Sequence, residues 1–159
     1  MNIFVSGSLA YDRIMDFPGH FSDHILPEKI HVLNVSFTVN GMVEKFGGTA
    51  GNIAYALCLL GEKPIILATI GRDHHRYFDW LAKNRIGVAG IRIIEEEFTA
   101  SAYITTDMAD NQITGFNPGS MKHPSSFDFN TITVGESIAI VAPGNLEDMV
   151  TYSHFYKAA

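Results

Sequence analysis

A chain of 159 residues is long enough for one ordinary domain built around a single core. Its 47% apolar and 18% charged content describes a folded globule and excludes a disordered chain. The net charge of −6, with 11 scattered basic residues, argues against nucleic acid as a partner, because phosphate binding needs clustered Lys and Arg.

The single Cys58 cannot form an internal disulfide, which fits a reducing compartment. No apolar run reaches the length needed to cross a bilayer, so no membrane partner is expected. The start, Met1-Asn2-Ile3-Phe4-Val5, lacks a basic stretch and turns polar at Ser6, so it does not read as a signal peptide. The cytoplasm is the expected location, and the sequon Asn34-Val35-Ser36 is then a chance match.

The chain opens with an apolar strand, Ile3 to Ser6, and a turn at Gly7-Ser8. Between Val32 and Val39, Leu33, Val35, Phe37 and Val39 alternate with Asn34, Ser36 and Thr38, the pattern of a half-exposed strand. After Gly47-Gly48, the segment Ile53 to Leu60 reads as a buried helix capped by Gly61. Pro64 to Ile70 reads as a buried strand. His74 to Asn84 reads as an amphipathic helix with Tyr77, Phe78, Trp80 and Leu81 inward. A short strand follows at Ile91 to Ile94. Thr99 to Thr106 and Gln112 to Phe116 alternate, and Asp107 to Asn111 forms a hairpin loop between them. Beyond a Pro- and Ser-rich connection come a core strand, Ile138 to Val141, and a helix, Leu146 to Lys157.

Apolar strands separated by helices imply an α/β fold with a doubly wound, mostly parallel sheet. The half-polar strands near 32–39 and 99–116 form a small antiparallel flap beside it. The chain stops at Ala158-Ala159, after a helix, where such a sheet ordinarily continues, and this reads as a truncation.

Ligands of open α/β sheets bind outside the carboxyl ends of the strands. Asp12 lies just beyond the first strand, where its carboxylate serves either as a turn or cap residue or as acceptor for two neighbouring sugar hydroxyls. In Gly47-Gly48-Thr49-Ala50-Gly51-Asn52 the glycines let a ligand approach the backbone, and the Asn52 amide both donates and accepts. A plain glycine turn with a helix cap is the alternative. No Gly-Lys pair exists, so this is no phosphate loop, and the dinucleotide fingerprint is missing too. In the flap, Tyr103 lies between Ser101 and Thr105 on a polar face, and Phe116 shares a face with Gln112 and Thr114. Such rings either stack on a planar ligand or are ordinary surface aromatics. His74-His75 beside Asp73 is a solvated helix start, because neighbouring helical side chains diverge by about 100°. No metal site is expected.

Taken together, these residues resemble the N-terminal half of a ribokinase-like (PfkB) kinase. The matching pieces are Gly7 to Asp12, Gly47-Gly48-x-x-x-Asn52, and Ala68-Thr69-Ile70-Gly71-Arg72-Asp73. The stretches Phe17-Pro18-Gly19-x-Phe21, Ile25-Leu26-Pro27, Ser36-Phe37 and Asn117-Pro118-Gly119-Ser120-Met121 resemble the bacterial adenosine kinase branch. The resemblance implies one partial ribokinase-like domain over 1–159, with lid segments at about 30–46 and 98–117. It assigns Asp12 to ribose hydroxyls, with Gly47, Gly48 and Asn52 beside it. Ser8 and Ser36 fall where that branch lines the nucleoside pocket. Tyr103 and Phe116 fall where lid aromatics sandwich the base, one of them from a second subunit, so a homodimer through the lid is implied.

Family members are about twice this length, and the half not found here carries the catalytic Asp and the ATP-binding turn. The expectation is therefore the substrate-binding half of an ATP- and magnesium-dependent nucleoside (adenosine) kinase. This chain alone would hold no catalytic residue and bind no ATP or magnesium. The alternatives are a fragment of a ribose- or fructose-type sugar kinase, or a non-catalytic nucleoside-binding or dimerising module.

Overall fold

Ile3, Phe4 and Val5 alternate between two apolar layers, and this alternation places the first strand at the centre of a sheet covered on both faces. The computed structural model describes residues 2–131 and 137–158. The chain divides into two units, Met1–Tyr11 with Phe46–Ala100 and Pro118–Ala159, and Asp12–Lys45 with Ser101–Asn117.

In the first unit, β1 (Asn2–Ser6), β4 (Pro64–Gly71), β5 (Ile91–Ile94) and β8 (Ser137–Val141) form a parallel sheet in the order β5-β4-β1-β8. Ile3 pairs with Pro64 on one side and Ile138 on the other, and Ala68 pairs with Ile91. One face carries Ile3, Val5, Ile66, Ala68 and Ile70. They pack on Ala50 and Ala54 of α1 (Thr49–Leu59) and on Tyr77 and Leu81 of α2 (His75–Lys83). The other face carries Phe4 and Leu67 against Tyr152 of α3 (Leu146–Ala158). Val5, Ile66, Ile70 and Leu81 are fully buried, and each such side chain contributes roughly 1.5–3 kcal/mol relative to exposure. This is the doubly wound α/β sheet that the sequence implied.

Helix α1 ends as expected at Gly61, which has φ +88° and lets Glu62 N–H reach the Leu57 carbonyl. Helix α2 ends in the same geometry, with Ile86 N–H on the Leu81 carbonyl. There the left-handed position is filled by Arg85 at φ 60°.

A second four-stranded sheet has the order β3-β2-β6-β7, from β2 (Ala10–Asp16), β3 (Val43–Gly47), β6 (Ala100–Thr106) and β7 (Gln112–Asn117). Strands β6 and β7 are the expected antiparallel hairpin. Its loop is fixed by the Asp107 carboxylate, which accepts from the Ala109 and Asn111 N–H groups at 2.9 Å and from Phe21 N–H at 3.0 Å.

Two expectations need correction. No strand forms over 32–39; a 3-10 helix spans Pro27–Val32, and irregular backbone follows. The alternation is real, since Val35, Phe37 and Val39 are half-buried and their neighbours exposed. It records an extended loop anchored by Phe37 on Phe17 and Phe21, at ring distances of 4.7 and 5.5 Å, and no ladder partner runs beside it. The strand lies further on, at Val43–Gly47. Asp12 is likewise not in a turn beyond a strand but within β2. The Pro- and Ser-rich connection before β8 falls partly in residues 132–136, outside the described residues.

Candidate functional site

The expected site residues are divided between the two units. In the first unit the Gly47-Gly48 segment leads from β3 into α1. Gly48 sits at φ +89°, and a Cβ there would collide with the backbone of Ser8, Leu9 and Ala10. Only glycine fits. Ser8 meets the helix start through reciprocal bonds: its N–H donates to Thr49 Oγ1 at 3.0 Å, and its Oγ accepts from Thr49 N–H at 3.0 Å. Thr49 Oγ1 in turn donates to the Pro143 carbonyl at 2.6 Å. The Ser8 hydroxyl thus caps the orphan amides of α1. Thr49, which sequence reasoning passed over, is the knot that ties β1, α1 and the end of β8. Asn52 stands exposed in the first helical turn, and Gly47 is buried, its carbonyl accepting from the Tyr77 hydroxyl at 2.6 Å.

In the second unit the two sheet faces separate the candidates. Arg13 Nη1 donates to Ser101 Oγ at 2.7 Å and to the Tyr103 hydroxyl at 3.0 Å, and its guanidinium lies 5.2 Å from the Tyr103 ring centroid. Arg13 Nε is paired with Glu44 at 3.0 Å. Arg13, Glu44, Ser101 and Tyr103 therefore share one face. Side chains alternate along a strand, so Asp12 projects from the opposite one. There it lies with Lys45 and with Ala102 and Ile104. The hairpin register pairs Phe116 with Ala102 and Tyr103 with Gly115, and directly paired residues share a face. Phe116 is therefore on the Asp12 face and Tyr103 is not.

One hairpin therefore does not close both rings on one base. Both rings are exposed, Tyr103 by 44% and Phe116 by 52%. Ser36 is exposed in the irregular segment. Burial raises the Asp12 pKa above its ordinary value, and the nearby Lys45 partly opposes the shift. Arg13 carried no signal in the sequence, because its partners Glu44, Ser101 and Tyr103 lie 31, 88 and 90 residues away along the chain.

Among the described residues no group of three or more His, Cys, Asp or Glu side chains is placed to hold a metal ion. No described helix is long and apolar enough to cross a membrane.

A parallel sheet with helices on both faces, the Gly47-Gly48 entry into α1 and a second, mixed sheet make a partial ribokinase-like fold. The pfkB family of carbohydrate kinases matches residues 7–147, and the chain belongs to that family. The nucleoside kinase of Methanocaldococcus jannaschii is 31% identical over 122 residues, which are 76% of this chain and 40% of that protein. The structure of Burkholderia thailandensis nucleoside kinase in complex with inosine has 37% sequence identity and a TM-score of 0.77, covering 96% of this chain and 48% of that one. The same kinase in complex with ADP-inosine gives 40% identity and a TM-score of 0.72, with the same coverage. The chain thus spans about half the length of the relatives it matches.

Proposed function

We propose that this chain is the nucleoside-binding portion of an ATP-dependent nucleoside kinase, one that transfers the γ-phosphate to the ribose 5′-hydroxyl. The observation that carries the reading is the shared face of Asp12 and Phe116 in the second unit. They stand on β2 and β7, with β6 between. At about 4.8 Å per strand, they are roughly 10 Å apart, a separation suited to a ribose at one end and a base at the other. Asp12 accepts from two ribose hydroxyls, and Phe116 stacks on the base. Within the second unit Ser36 is a further nucleoside contact, and in the first unit, taken by itself, Gly47, Gly48 and Asn52 are candidate contacts. Ser8 serves the same region by holding Gly48 and Thr49 in place. The likeness to a kinase solved with inosine supports a purine nucleoside, with adenosine as the finer expectation.

Tyr103, on the other face, serves a second copy. In a homodimer through the β6–β7 sheet, it would complete the partner's base site. ATP and magnesium belong to the whole kinase. No residue described here is assigned to them, and the chain by itself is expected to bind nucleoside without turning it over.

Calorimetric titration with inosine and with free ribose tests the reading. Phe116→Ala is expected to weaken inosine binding by about 1–3 kcal/mol, the usual worth of one stacked base, and to leave ribose unchanged. Equal losses for the two ligands would show that Phe116 supports the sheet and does not stack on the base, and would favour the sugar-kinase reading.

A further inference from the structure

The Gly71-Arg72-Asp73 turn at the end of β4 has no part in the site above, yet it is among the most heavily bonded segments of the first unit. It grips the three residues Glu97-Phe98-Thr99, Arg72 holding the first two and Gly71 and Asp73 the third. Arg72 N–H donates to the Glu97 carbonyl at 2.9 Å. The Arg72 guanidinium lies 4.0 Å from the Phe98 ring centroid. Gly71 N–H donates to Thr99 Oγ1 at 3.0 Å. Asp73 Oδ1 accepts from both the N–H and the hydroxyl of Thr99, at 2.8 and 2.6 Å. The approach requires glycine at 71, since a Cβ there would strike the backbone of Phe98 and Thr99.

Two further chain segments are tied to the same clamp. The Tyr11 hydroxyl donates to the Asp73 carbonyl at 2.9 Å. Ser120 N–H donates to the Phe98 carbonyl at 2.8 Å, and Thr69 Oγ1 donates to the Ser120 carbonyl at 2.8 Å. Tyr11 is the last residue of the first unit before Asp12, Ala100 the last before Ser101, and Pro118 the first after Asn117. The roots of β2 and β6 therefore both reach Asp73, Tyr11 at its backbone carbonyl and Thr99 at its carboxylate, while Ser120, just after β7, is held by Phe98 and Thr69. Thr99, Tyr11 and Ser120 are buried, so these bonds are shielded from competing water and hold their geometry.

We propose that Asp73 is a positioning residue for nucleoside binding: its carboxylate, through Thr99, fixes the root of β6, the strand that carries Tyr103 and lies between those of Asp12 and Phe116. It touches no ligand. β6 is the neighbour of both β2 and β7, and a binding constellation works only when its groups are held to within about 0.5 Å. The proposal rests on the nucleoside-binding reading given above.

The test compares Asp73→Ala, Asp73→Asn and Thr99→Val in the full 159-residue chain. Inosine affinity is measured by calorimetry at a temperature where each variant is folded. Asp73→Asn keeps an Oδ1 acceptor for both Thr99 bonds and should bind like the parent. Asp73→Ala should lose about tenfold in affinity or more, as small displacements of binding groups do, with Thr99→Val shifted in the same direction. If Asp73→Ala fails to fold, Thr99→Val alone decides. A purely structural Asp73 would lower the melting temperature and leave the affinity of the folded variant unchanged, and that result overturns the proposal. Failure of the nucleoside reading looks different, since the parent chain would then not bind inosine. In that case hydrogen exchange decides the anchoring: faster exchange at Ser101 in Asp73→Ala, restored in Asp73→Asn, supports it, and unchanged exchange refutes it.

Discussion

Asp12 is a carboxylate held where its charge is costly to the fold, and that gives it separable effects on stability and on binding. Burial raises its pKa above the unfolded value of 3.8, against the pull of Lys45. The folded chain therefore holds the proton more tightly than the unfolded one. Stability from this group is largest at low pH and declines as pH rises through the raised value, so at neutral pH the ionised form lowers stability. Asp12→Asn should leave the melting temperature unchanged or higher at pH 7. It should weaken inosine binding by about 1.5–3 kcal/mol for each charged hydrogen bond lost. In the parent chain, inosine affinity should fall as pH drops through the same range. A melting temperature well below the parent's would mean that the carboxylate serves the fold. Asp107 behaves oppositely. Burial pushes its pKa up, but the bonds from Asn111, Phe21 and Ala109 outweigh that and hold it at about 2. Its stabilising share is present above pH 3.8 and is lost only as pH falls toward that value.

At the scale of elements, helix α2 carries a correctable flaw. Its left-handed C-terminal position is filled by Arg85 at φ 60°, where the equivalent residue of α1 is Gly61. A side chain in that conformation costs roughly 1–2 kcal/mol. Arg85→Gly should raise stability by about 1 kcal/mol, after the extra flexibility of the unfolded chain is offset, as read by denaturant midpoint. A lower midpoint would show that Arg85 makes contacts worth more than the strain. The buried elements were legible because their patterns come from burial alone: Pro64–Gly71 is apolar nearly throughout, and α2 shows its inward ring residues. Strand β2 was not legible. Asp12, Arg13 and Asp16 interrupt any alternation, and the strand exists only through neighbours more than 30 residues away. The loop at 33–40 misled for the converse reason, since period two reports an extended backbone and not the presence of a partner. The faces of Tyr103 and Phe116 depended on the hairpin register, which a one-residue change in the 107–111 loop would invert. Asp12, Gly48 and Asn52 were recognisable by residue type and spacing. Thr49 and Arg13 were not, because their roles are set by partners distant in sequence.

For the whole molecule, the family assignment rests on a match across residues 7–147, while the chain spans 48% of a solved nucleoside kinase that it resembles. The separation of Tyr103 from Phe116 adds a requirement at this scale. If both rings stack on one base, two copies must supply them, and nucleoside binding is then linked to dimer formation by mass action. Two inosines per dimer, and no chemistry from this chain alone, are therefore expected. Phosphoryl transfer depends chiefly on positioned donors around the transferring phosphate, and no described residue is assigned to that work. Native mass spectrometry of the 159-residue chain incubated with inosine, ATP and magnesium reads all of this at once. The predicted spectrum shows dimers carrying two inosines, with neither an ATP adduct nor inosine monophosphate. Absence of any inosine adduct, or release of inosine monophosphate by the purified chain, would contradict it.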